Sequence, residues 1–194
     1  MPPETDGTCT WPGQDVHERS DSLFSYHGGN VRKSGRQSYH TNHAHGDCYT
    51  MDIDGIQPDS TDYWLAIIKN SDDKDLIITS ITGWVSSFEN TQIYEACIGG
   101  TFTYASNGTA VVPCNLNAGS GKTASGDFYV NDGGGNITTV VAGSIAGRHI
   151  FTTTPGRWVK NSGWVIPKNQ CFMLRSNIAE KLTGYISFYY HDAS

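Results

Sequence analysis

The alternation of apolar and polar positions is clearest at the end of the chain. In LTGYISFYYHD, Gly184, Ile186, Phe188 and Tyr190 fall on one face, and Tyr185, Ser187, Tyr189 and His191 on the other. A period of two predicts a strand with one face on a core. TDYWLAIIKN, residues 61–70, is apolar on both alternating sets (Tyr63, Leu65, Ile67 and Trp64, Ala66, Ile68), which predicts a strand covered on both sides. NSDDKD, 70–75, reads as a turn, and DLIITSITGWVSS resumes the alternation. TQIYEACI, GTFTY and GTAVVP read as three short strands, with ASNG as a tight turn between the last two.

LNAGSGKTASG, 116–126, reads as a small-residue loop, DFYV as a brief strand and NDGGGN as a further turn. ITTVVAG and IAGRHIFTTT are expected as strands, PGRWVKNSGWVIPKNQ as two tryptophans amid turns, and CFMLRSN as a strand. Only SSFENTQIYEA, 86–96, and SNIAEKL, 176–182, offer a short helical turn. Residues 1–35 are polar and lack a lasting period, so they read as an extended N-terminal arm with Trp11 as an anchor.

These patterns predict an all-β protein, a single jelly-roll-like β-sandwich over 36–194 with about eight to ten short antiparallel strands. An immunoglobulin-like sandwich is the second expectation, because Cys48, Trp64 and Cys114 loosely follow its Cys…Trp…Cys order.

Composition supports strands over helices. The 194 residues are 16% charged, below the usual quarter, and Thr, Ser, Asn, Gly and Tyr fill the difference. A formal charge of −6 with scattered basic residues argues against nucleic acid as a partner. No segment has the length of a membrane-spanning helix. The five cysteines are odd in number and widely spaced, and MPPETDGTCT lacks a basic start and an apolar run. The expectation is synthesis in a reducing cytosol, with free and mostly buried thiols.

The candidate chemistry is sparse. HTNHAH places His40, His43 and His45 within six residues. Alternation puts His43 and His45 on one face and His40 on the other, so His43 and His45 are the candidate metal ligands, within one chain or at a symmetry axis. Zinc needs three or four converging donors, and hydrogen bonding at a surface is the plainer expectation. Asp52 and Asp54 share a strand face and enter a turn, where they suit either a hard cation or water. GSGKT, 119–123, lacks the first glycine of a phosphate loop and a following helix, so it reads as a surface loop.

Cys48 near His45 lacks an orienting group, and nothing selects a pair among Glu89, Glu95, Asp127 and Asp132 for glycoside cleavage. A cupin-type metal enzyme is a minor third option, requiring His-rich strands that face into a barrel. An enzyme is not expected, and no cofactor is implied. Five tryptophans and ten tyrosines suit sugar stacking or subunit contact. Trp84, Trp158 and Trp164 are the candidates for sugars, and Trp11, Tyr185 and Tyr189 for interfaces.

DYWLAIIKNSDDKDLIITSITGW, GTAVVPCNLNAGSG and VIPKNQCFMLRSN…LTGYISFYYHD together resemble small jelly-roll virion proteins of tailed bacteriophages, which decorate heads or form minor capsid and tail-appendage parts. The resemblance covers about residues 45 to 194. It rests on a strand, an acidic turn, a strand, a Gly-rich middle and an aromatic last strand. It implies a non-enzymatic structural part of the virion. It also implies contacts with its own copies, often as a homotrimer, and with the major capsid or another virion protein. It transfers no catalytic residue and no histidine motif. A carbohydrate-binding module or tail-associated adhesin-like domain is the alternative expectation.

Overall fold

The computed structural model describes residues 46–58, 64–85, 91–102, 108–131, 140–141, 143–151 and 156–191. The chain divides into two units, Met1–His40 and Thr41–Ser194, and every described residue belongs to the second. Trp11, His43 and His45 therefore lie outside the described residues.

The described residues form twelve strands and no helix. They are β1 (Cys48–Ile56), β2 (Trp64–Asn70), β3 (Asp75–Val85), β4 (Gln92–Phe102), β5 (Thr109–Ala110), β6 (Cys114–Asn115), β7 (Gly126–Val130), β8 (Val140–Val141), β9 (Ser144–Phe151), β10 (Gly156–Ile166), β11 (Cys171–Ser176) and β12 (Leu182–His191). All pairings are antiparallel. One sheet has the order β10-β3-β12-β1-β6. The other has β5-β7-β2-β11-β4, with β8 and β9 both on β4.

The pairings follow a simple rule. β1 pairs with β12, β2 with β11, β3 with β10 and β4 with β9. The two halves of the chain thus run side by side as one antiparallel ribbon. That ribbon passes between the sheets, and its turns join through β12 on β3 and β11 on β4. Residues 103–139, inserted at the far end of the ribbon, contribute β5, β6 and β7, which extend the outer edges at β1 and β2.

Where the ribbon crosses between sheets, both of its strands must turn together. At the second crossing, Asn70 joins the two turns. Its Nδ2 donates to the carbonyls of Lys74 (2.8 Å) and Ile166 (2.9 Å), and its Oδ1 accepts from the Asp72 amide at 3.0 Å. Its backbone exchanges bonds with Asn169 and Gln170. At the first crossing, Gln57 Nε2 donates to the Ala179 carbonyl at 2.8 Å.

The core lies between the sheets. Met51, Ile53, Ile78, Ile81, Ile186 and Phe188 from the first sheet meet Ala66, Ile68, Tyr94, Phe172 and Leu174 from the second. Phe128 stacks on Phe188 at 5.5 Å and Tyr94 on Trp158 at 5.9 Å between ring centroids. Gly83 makes room for this second pair, because a Cβ there would collide with the Trp158 indole.

Several sequence expectations need correction. GRWVKNSGWVI is an 11-residue edge strand, β10, and not a run of turns. The Asn-Ser-Gly that reads as a turn is absorbed in a bulge between Asn161 and Trp164. TQIYEACI and the start of GTFTY form one strand, β4, and GTAVVP supplies only the two-residue β5. Residues 92–96 are strand and 177–181 are non-helical, so neither proposed helical turn forms among the described residues. The immunoglobulin order fails too: Cys48 and Cys114 sit on neighbouring strands of the same sheet and not in opposite sheets.

Candidate functional site

The strand registers decide which side chains share a face. On β12, Ile186, Phe188 and Tyr190 point into the core, so Tyr185 and Ser187 point out. Tyr185 lies opposite Thr82 on β3, which lies opposite Val159 on β10. On the other side Tyr185 lies opposite Asp52 on β1. The next row holds Arg157, Trp84 and Thr183, with the Gly55 amide donating to Thr183 Oγ1. The outer face of the first sheet therefore carries Trp84, Val159 and Tyr185 together, 52%, 50% and 39% exposed.

Charge is ordered across this face. Arg157 marks the β10 edge, and Asp52 and Asp54 mark β1, three strands away; all three are exposed. The ion pairs among the described residues involve none of them. Between the charges lie the apolar side chains and the short polar Thr82, Ser80 and Ser187.

The three candidate tryptophans do not form one platform. Trp84 faces outward, whereas Trp158 and Trp164 lie on the opposite, inner side of the same sheet. Trp158 is buried against Tyr94 and His149, the imidazole stacking at 5.0 Å. Trp164 stacks on Phe172 at 6.0 Å. Both hold the two sheets together at the β9–β10 edge, Trp158 buried and Trp164 partly so, and neither shares the face of Trp84. Tyr189 points outward like Tyr185 but is only 3% exposed, so it offers no surface to a partner.

The second sheet is apolar on its outer face as well. Trp64, Ile67, Cys97, Cys171 and Met173 form a separate buried cluster there. Beside it Glu95 accepts from Arg148 Nε at 2.5 Å and from Arg175 Nε at 2.6 Å, and the Arg175 guanidinium lies 5.7 Å from the Trp64 ring. Burial pushes the Glu95 carboxyl up, but the hydrogen bonds from the two arginines pull it further down, to a net value below the usual range. An anion so held is a structural pair and not a proton donor.

Of the other carboxylates singled out in the sequence, Glu89 and Asp132 lie outside the described residues. Asp127 pairs with Lys69. Asp47 is buried and accepts from Lys74 Nζ at 3.1 Å and Lys122 Nζ at 3.0 Å, so the lysine of GSGKT serves an internal ion pair, and the segment leads into β7 and not a helix. Gly46, at φ +65°, lets the chain approach Ser120 where a Cβ would meet Oγ at 2.5 Å. The Cys48 thiol is pushed up to about 11, by burial first and then by Asp47, the reverse of an activated nucleophile. Among the described residues no three His, Cys, Asp or Glu side chains converge as a metal site, and no helix is long and apolar enough to cross a membrane.

Sequence reasoning singled out Trp84 and Tyr185 but missed Arg157 and Val159, which it left among turns. Their signal is the alternation Arg157, Val159, Asn161 against Trp158 and Lys160, visible only once 156–166 is read as a strand. Comparison with protein-family models, curated proteins and solved structures found no match.

Proposed function

We propose that this chain is a non-enzymatic structural protein of a virion, a capsid decoration or minor capsid component. It works by binding its own copies and a neighbouring virion protein. The observation that carries this reading is the exposed Trp84–Val159–Tyr185 face. Large apolar side chains grouped on one rigid sheet are characteristic of protein contact surfaces. The ribbon pairing supports a jelly-roll framework, a double-sheet design common among capsid proteins, and agrees with the resemblance carried by the strand and turn segments. The ion-pair partners found for Glu95, Asp47 and Asp127 agree with structural roles for these carboxylates.

One observation favours a second reading. Trp84 is more than half exposed, with Tyr185 one strand away, and such rings can stack on sugars. The carbohydrate-binding or adhesin-like alternative therefore rests on Trp84 and Tyr185 alone. Carbodiimide cross-linking of the full chain, run beside a glycan array, separates the two. The structural reading expects cross-links between copies and no glycan retained. Glycan retention that disappears in Trp84→Ala, without intermolecular cross-links, overturns it.

A further inference from the structure

We propose that two copies of this chain pair face to face through the outer side of the first sheet, about a two-fold axis running along the strands between β3 and β12. The inference rests on the reading that copies of the chain bind one another, and it names the surface and the symmetry.

From one edge the face reads Arg157 on β10, Trp84 and Thr82 on β3, Tyr185 and Thr183 on β12, then Asp52 and Asp54 on β1. It is basic at one end, apolar in the middle and acidic at the other. A two-fold axis across the strands would set β10 on β10 and β1 on β1, opposing like charges. An axis along the strands reverses the order of the partner's strands, so β10 of one copy lies over β1 of the other. Arg157 of each copy then faces Asp52 and Asp54 of its neighbour, twice by symmetry, and Trp84, Val159 and Tyr185 of both copies close the centre. This is the self-complementarity that an isologous interface requires, with an apolar middle and a charged rim.

β3 has 11 residues, about 37 Å at ~3.4 Å per residue, and four strands at ~4.8 Å cover ~19 Å. The face is thus at most on the order of 700 Å², and less where Tyr189 and Cys48 are covered at one end, which puts it at the small end of specific interfaces. Sheets also stack stably face to face, ~10 Å apart and near alignment. The ion-pair partners that Arg157, Asp52 and Asp54 lack among the described residues are those that a second copy supplies.

Charge reversal with mixing tests the arrangement. Arg157→Glu makes the face acidic throughout, and Asp52→Lys with Asp54→Lys makes it basic throughout. All three positions are exposed, and circular dichroism verifies that each variant folds. In sedimentation velocity on the full chain, each variant alone is expected to associate at least about tenfold more weakly than wild type. An equimolar mixture is expected to return to within about threefold of wild type. Variants that associate as wild type does, or a mixture no tighter than its components, overturn the proposed pairing while the structural reading stands. A wild-type chain that never associates removes both. Glycan binding through Trp84 by a chain that stays single overturns the pairing in favour of the sugar surface.

Discussion

Asn70 shows how one side chain can fix a crossing. It is fully buried and joins the β2–β3 turn to the β10–β11 turn, so it holds both strands of the ribbon where they change sheet. Asn70→Ala strands the buried Ile166 carbonyl and should cost about 2–3 kcal/mol, lowering Tm by roughly 4–12 °C for a domain of this size. A Tm within 2 °C of wild type, roughly the smallest shift expected per kcal/mol, would show that the turns hold without it. The thiols make a second test. Cys48, Cys97 and Cys171 are buried and Cys114 is exposed; burial pushes the Cys48 and Cys97 thiols up. Alkylation at pH 8 followed by mass spectrometry should modify Cys114 first and the three buried thiols only on unfolding. Early labelling of Cys97 would contradict the packing of the outer cluster. His149 gives a pH dependence. Burial, then Lys160, lowers its basicity, so the unfolded chain takes up the proton first. Its share of stability is complete above the unfolded value of about 6.5 and is lost as pH falls through the lower folded value. Thermal unfolding at pH 7.5 and 5.5 should show a larger drop for wild type than for His149→Gln.

At the scale of elements, legibility followed the regularity of each strand. β12 announces itself because Ile186, Phe188 and Tyr190 alternate without interruption, and β2 because Ile67 and Ile68 meet apolar surroundings on opposite faces. β10 hides because its bulge is written Asn-Ser-Gly. Read as turns, the segment leaves Trp158 and Trp164 at a surface, whereas the strand turns both inward. β5, β6 and β8 are two residues long, too short for any period to register. Their pairing is set by tertiary neighbours. Gly83 on β3 is a pairwise case: its missing side chain is what lets the Trp158 indole settle against Tyr94. The buried Trp158 Nε1 has no hydrogen-bond partner among the described residues, so packing alone holds it. Gly83→Ala should cost about 1–3 kcal/mol. Adding Trp158→Phe should recover part of that loss, a non-additivity that a double-mutant cycle measures. Strictly additive losses would mean that the two residues do not press on each other.

For the whole molecule, the ribbon rule explains why long-range pairing dominates. The first described strand lies beside the last, and β2, β3 and β4 lie beside their mirrors β11, β10 and β9. No local pattern encodes that mirror, because the alternation within a strand does not say which strand it pairs with. The candidate surface was legible in part. Trp84 and Tyr185 stood out by residue type, but their shared face with Val159, Arg157 and Asp52 needed the registers. The central claim is that this face serves assembly. Sedimentation equilibrium of the full chain, at micromolar concentration and in moderate salt, tests it most directly. The account predicts a concentration-dependent rise in mass above the 21.2 kDa of one chain, weakened when Trp84 and Tyr185 are both changed to Ser. A single 21.2 kDa species across the concentration range would contradict it.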